Sequence, residues 1–110
     1  MKKRYLIFIL ILLILSGVKA EDISISAIAS PDSGSTPLNV QFTAAATGSL
    51  PLSYSWDFAN DDIVDSTQQN PSYIYTTAGE YNATLTVIDA NNLNATKIIP
   101  ITVESYDSKL

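Results

Sequence analysis

An all-β sandwich or barrel is the fold class this sequence predicts, and three observations predict it. After residue 20 apolar residues alternate with polar ones at a period of two. Turn-forming residues interrupt that alternation roughly every 8 to 12 positions, the spacing of short strands in an all-β domain. No window of about 11 residues repeats its apolar positions at the helical period of 3.6.

Taken in order, the chain opens with a segment of another kind. Lys2, Lys3 and Arg4 form a basic cluster, residues 5–15 are an unbroken apolar run, and Val18-Lys19-Ala20 supplies small residues around a cut after Ala20. Together these predict a cleavable signal peptide over 1–20 and one domain over 21–110. The apolar run falls short of the about 20 residues a spanning helix needs, so no membrane span is expected after cleavage. The short polar tail 104–110 carries no lipid-anchor signal. A secreted or cell-surface location follows.

Six strands are then expected. Ile23, Ile25, Ala27 and Ala29 alternate with serines, and Leu38, Val40, Phe42 and Ala44 alternate with Asn39, Gln41 and Thr43. Leu52, Tyr54, Trp56 and Phe58 form the third set, Tyr73 and Tyr75 the fourth, Tyr81, Ala83, Leu85 and Val87 the fifth, and Ile99, Ile101 and Val103 the sixth. Each reads as a strand with one buried face. A short seventh is expected near Ile63-Val64, and Pro100 implies an edge or a bulge in the last strand. Pro31-Asp32-Ser33-Gly34, Gly48-Ser49, Asn60-Asp61-Asp62, Asn70-Pro71, Ala78-Gly79 and Asn91-Asn92 punctuate the strands, because Gly and Asn tolerate positive φ and Pro presets a turn.

Composition narrows the function. The whole chain has net charge −5, but beyond residue 20 all eleven acidic residues remain with only Lys97 and Lys109, a net charge of −9. Nucleic acid is excluded as a partner, because phosphate binding needs clustered Lys and Arg. The sequence contains neither His nor Cys, which removes Ser-His-Asp triads, thiol nucleophiles, disulfides and ordinary zinc or haem sites. An enzyme would have to run on carboxylates, Tyr, Ser/Thr or Lys, and nothing marks a cleft or a substrate-orienting base, so no enzyme is expected. Without disulfides a domain of this size must hold together by apolar packing and a well-paired sheet.

The third strand carries a recognisable string. Pro51-Leu52-Ser53-Tyr54-Ser55-Trp56-Asp57-Phe58 is followed by Asp65-Ser66, Asn70-Pro71-Ser72-Tyr73-Ile74-Tyr75, Ala78-Gly79-Glu80-Tyr81 and Thr84-Leu85-Thr86-Val87-Ile88-Asp89, with Gly34 and Pro37-Leu38-Asn39-Val40-Gln41-Phe42 upstream. This resembles the PKD (polycystic kidney disease) domain family of archaeal and bacterial surface proteins, over about 25–103. The resemblance implies a seven-stranded, immunoglobulin-like β-sandwich. It further implies a non-catalytic spacer or adhesion module of a cell envelope or surface layer, working by protein-protein contact. Where that family has Gly-Asp-Gly after Trp-Asp-Phe, this chain has Ala59-Asn60-Asp61-Asp62, a longer acidic loop.

Trp56, Phe58, Tyr75, Tyr81, Leu85 and Val87 are the expected core. The alternative function, a carbohydrate-binding accessory module of a secreted hydrolase system, needs exposed aromatics lining one face, for which Tyr73, Tyr75, Tyr81 and Tyr106 are candidates. Asp57, Asp61, Asp62 and Asp65 crowd four carboxylates into nine residues. Against the calcium-loop template Asp57, Asp61 and Asp65 fall on positions 1, 5 and 9, but position 3 is Ala59, the turn glycine is Asp62 and position 12 is Gln68. Three readings are open: a weak calcium site on Asp57, Asp61 and Asp65, a solvated acidic turn, and a turn whose Asp side chains cap backbone amides. The template failures favour the solvated turn, and no other cofactor is expected. Asn82-Ala83-Thr84 and Asn94-Ala95-Thr96 are glycosylation sequons, which an exported chain would offer to a glycosylating host. Cell-envelope proteins or glycans are the expected partners.

Overall fold

The protein is described by a computed structural model over residues 22–107, so the expected signal peptide and Glu21 lie outside the described residues. Seven strands form: β1 Ser24–Ser30, β2 Ser33–Ser35, β3 Leu38–Thr47, β4 Ser53–Asp57, β5 Ser72–Tyr75, β6 Gly79–Ile88 and β7 Asn94–Glu104. They pair as a three-stranded sheet, β1-β3-β5, and a four-stranded sheet, β2-β7-β6-β4. All neighbours are antiparallel except β2 and β7. Among the described residues no helix is long and apolar enough to cross a membrane.

The period-two pattern sets which face each strand buries. Along β3 Leu38, Val40, Phe42 and Ala44 are buried while Asn39, Gln41 and Thr43 are exposed. Ala83, Leu85 and Val87 of β6 and Ile99, Ile101 and Val103 of β7 fill the opposing face. Between the sheets the aromatic rings stack in sequence: Phe42 lies 4.9 Å from both Trp56 and Phe58, Phe58 4.6 Å from Tyr73, Tyr73 4.8 Å from Tyr75, and Tyr75 4.6 Å from Tyr81. Offset and tilted contacts of this kind add to the apolar burial of each ring.

Two expectations need correction. The seventh strand is Ser33–Ser35, not Ile63-Val64. The chain leaves β1, crosses to the other sheet, and β2 pairs with the end of β7 at Ser33↔Thr102, Gly34↔Val103 and Ser35↔Glu104. A three-residue strand of Ser and Gly has no alternation to reveal it, and its hydrogen bonds come from a segment about seventy positions away. Ile63 and Val64 stay exposed, and the adjacent pairing is a single bridge between Trp56 and Ser66. Tyr81 is half-buried against the core rather than inside it. Its hydroxyl donates to the Thr77 carbonyl at 2.6 Å, bracing the corner that leads from β5 into β6. Pro100 is accommodated because β2 reaches only Thr102–Glu104, so β7 has one strand neighbour at the proline.

Candidate functional site

The acidic turn begins where β4 ends. Trp56 must stay in the core, and the chain that follows folds back to pair with it: the Trp56 amide donates to the Ser66 carbonyl at 2.8 Å and Asp65 N–H to the Trp56 carbonyl at 2.7 Å. The indole Nε1 donates to the Gln68 carbonyl at 3.0 Å, so the one polar atom of the ring is satisfied. The loop 57–65 is thereby held at both ends.

Three of its carboxylates, those of Asp57, Asp61 and Asp65, accept backbone amides of the same loop. Asp57 accepts the Asp61 amide on Oδ1 at 3.2 Å and the Asp62 amide on Oδ2 at 2.8 Å. Asp65 Oδ2 accepts the Phe58 amide at 2.7 Å, and Asp61 Oδ1 accepts that of Ile63 at 3.0 Å. Of the three readings of this cluster, amide capping describes the hydrogen bonding of Asp57, Asp61 and Asp65, while Asp61, Asp62 and Asp65 are at the same time exposed to solvent. Burial alone would raise the Asp57 carboxyl, but the amides of Asp61, Asp62 and Asn60 outweigh it and hold the group below the usual aspartate range. Asn60 and Asp62 adopt φ of 58° and 63°, so Asp62 takes the left-handed conformation that the calcium-loop template assigns to glycine.

Asp57, Asp61 and Asp65 each bring one carboxylate oxygen within 4.8 Å of the others. Calcium takes 6 to 8 oxygen ligands, and with Ala59 at position 3 the loop supplies only part of that set. The Gln68 carbonyl is already committed to the Trp56 indole. Beside the turn lies an open concavity of about 220 Å³ lined by Ser55, Asp57, Asn60, Asp62, Ile63 and Thr84, among other residues. Its one aromatic contributor, Trp56, is fully buried, so it presents no ring for a sugar to stack on.

The other candidates are dispersed. Trp56, Leu85 and Val87 have no exposed surface, and Phe58 and Tyr75 are 2% exposed. Tyr75 donates its hydroxyl to the Phe58 carbonyl at 2.9 Å. Burial, followed by the neighbouring Tyr73 and Tyr81 and by Asp65 and Asp57, pushes its phenol well above the ordinary tyrosine range. Tyr54, Tyr73 and Tyr81 are half-buried, and among the described tyrosines only Tyr106 is exposed, beyond the end of β7. The two sequons share the outward face of the β6–β7 pair: Asn82 lies opposite Pro100 and Asn94 opposite Ile88, both exposed.

One structural residue escaped the sequence reading. Asp89, 4% exposed, accepts the amides of Asn91 at 2.9 Å and Leu93 at 3.0 Å on Oδ1, closing the β6–β7 hairpin. The signal was an aspartate at a strand end followed by Asn91-Asn92, the composition of an Asx turn.

Known proteins resemble this arrangement throughout the domain. A family model described as a PKD domain matches residues 20–103. The PKD1 domain of Vibrio anguillarum Epp superposes with a TM-score of 0.64 at 28% identity, covering 80% of this chain and 100% of that one. A structure from a study of carbohydrate-binding modules of the β-sandwich superfamily superposes with a TM-score of 0.68 at 26% identity, covering 80% of this chain and 36% of that one.

Proposed function

Since the chain belongs to the PKD domain family, an extracellular β-sandwich class, we propose that it is a non-catalytic spacer or adhesion module of a cell envelope that works by protein-protein contact. The observation that carries this reading is the disposition of its aromatic residues. Phe42, Trp56, Phe58 and Tyr75 are spent between the sheets, and the half-buried Tyr73 and Tyr81 continue the same stack. Asp57, Asp61 and Asp65 of the acidic turn and Asp89 of the β6–β7 hairpin accept amides of their own loops. What remains for recognition among the described residues is a surface of Ser, Thr, Asn and Asp interspersed with exposed aliphatics such as Ile28, Leu50, Ile63 and Ile98.

The second reading, a carbohydrate-binding accessory module, is favoured by the likeness to the carbohydrate-binding-module structure. Among the described residues Tyr106 is the one exposed aromatic, and by itself it forms no aromatic face. One experiment separates the two: retention of the immobilised protein by an isolated envelope fraction, after the fraction has been treated with protease or with glycosidases. Protein contact predicts retention that survives deglycosylation and is lost on proteolysis, and sugar recognition predicts the reverse. We also propose secretion after cleavage at Ala20, with glycan on Asn82 or Asn94. Intact mass and N-terminal sequencing of native material test both, and a retained Met1 or a mass with no glycan increment would refute the respective part.

A further inference from the structure

The two sheets differ in charge and in how their edges are protected. No strand of the β1-β3-β5 sheet contains a charged residue. The other sheet carries Asp57, Glu80, Lys97 and Glu104 on its strands. In a chain that is strongly acidic beyond residue 20, the neutral sheet is where two copies can approach at least electrostatic cost.

Among the described residues, one edge of that sheet also carries no strand partner. Sheet edges in soluble proteins are blunted by shortness, charge, proline, bulges or a covering loop. β2 is three residues long, β5 is four, and β4 is crossed by the backbone of Asp65 and Ser66. β1 runs for seven residues with the sequence SISAIAS, without charge or proline, and among the described residues it hydrogen-bonds on one side only, with β3, while also lying near β7 of the other sheet. Its inward residues Ile25, Ala27 and Ala29 are half-buried, whereas the inward residues of β3 are buried along Leu38, Val40, Phe42 and Ala44. On the outward face Ile28 is 62% exposed.

We infer that β1 is a self-association edge, pairing antiparallel with β1 of a second copy. The product is a continuous six-stranded neutral sheet, in the order β5-β3-β1 and then β1-β3-β5 of the second copy. Main-chain hydrogen bonds supply the attraction, and the added strand covers the half-buried Ile25, Ala27 and Ala29. A two-fold axis makes the contact self-complementary and closed. This deepens the proposed contact role by naming a partner. A folded monomer would remove the contact while leaving the envelope-retention result to stand or fall by itself.

The test is sedimentation of the exported protein, produced from the full reading frame, from about 1 µM to about 1 mM. Hydrogen exchange of the Ser24–Ser30 amides is followed over the same range. The comparison variant is the double substitution Ser26→Lys, Ile28→Lys. In every antiparallel register within one residue of Ala27 at least one of these lysines faces a lysine of the other copy, a destabilising like-charge pair. The expected result is a reversible dimer, β1 amides that become protected as concentration rises, and association at least roughly tenfold weaker in the variant. A monomer at every concentration overturns the inference. So does a dimer whose β1 exchange is independent of concentration, a readout that decides even if the variant fails to fold.

Discussion

Asp57 shows how a side chain that reads as a metal ligand in sequence can be occupied by its own backbone. Two of the loop's amides donate to its oxygens, and together with the Asn60 amide they outweigh desolvation and lower its pKa. An unfolded aspartate titrates near about 3.9. The folded group titrates below that, so its contribution is fully present above the unfolded value and is lost as pH falls through the folded one. Asp57→Asn should therefore be less stable than the parent near neutrality, with the gap in urea midpoint closing below about pH 4. A gap independent of pH would contradict the assignment. Any calcium affinity is limited by the same geometry: the carboxylates of Asp57, Asp61 and Asp65 lie close together, but each already accepts at least one backbone amide and the ligand set is incomplete. A melt in EDTA and in graded calcium should overlap or shift by a few degrees at millimolar calcium. A rise of about 10 °C that Asp61→Asn abolishes would mean a real site.

At the scale of elements, six of the seven strands were legible because each buries one face in register with the period-two pattern. The seventh was not, since Ser33–Ser35 owes its pairing to β7 and to the crossing between sheets rather than to any pattern of its own. Gly34 marks that crossing physically: a Cβ there would sit 2.7 Å from Leu38 Cδ1. Gly34→Val should displace Leu38 and cost about 1–3 kcal/mol, measured by urea unfolding, whereas an unchanged midpoint would show that β2 has room to spare. The acidic loop was half legible. Its residues and their closeness were readable, but their hydrogen-bond partners were not, because those depend on the positive φ of Asn60 and Asp62 and on the return of the chain to Trp56. The Tyr81 corner was likewise invisible, as its acceptor is a backbone carbonyl in the turn before β6. Tyr81→Phe should lose about 0.5–1.5 kcal/mol in the same assay, the net worth of one hydrogen bond.

For the molecule as a whole, the aromatic residues of the described strands pack in or against the core, and the described surface offers no row of exposed rings. The outward residues Ser26 and Ile28 of β1 and the sequon residues Asn82 and Asn94 are exposed, so each can be altered without removing a core side chain. Trp56 tests the inward packing most directly, since it is the sole tryptophan, has no exposed surface and stacks against Phe42 and Phe58 between the two sheets. Trp56→Ala should cost about 3–5 kcal/mol, a large share of the stability of a small domain. The decisive measurement is tryptophan emission with iodide quenching in the folded protein. An indole packed between the sheets gives blue-shifted emission that iodide barely quenches until the chain unfolds, and an indole freely quenched in the folded state would contradict this core placement.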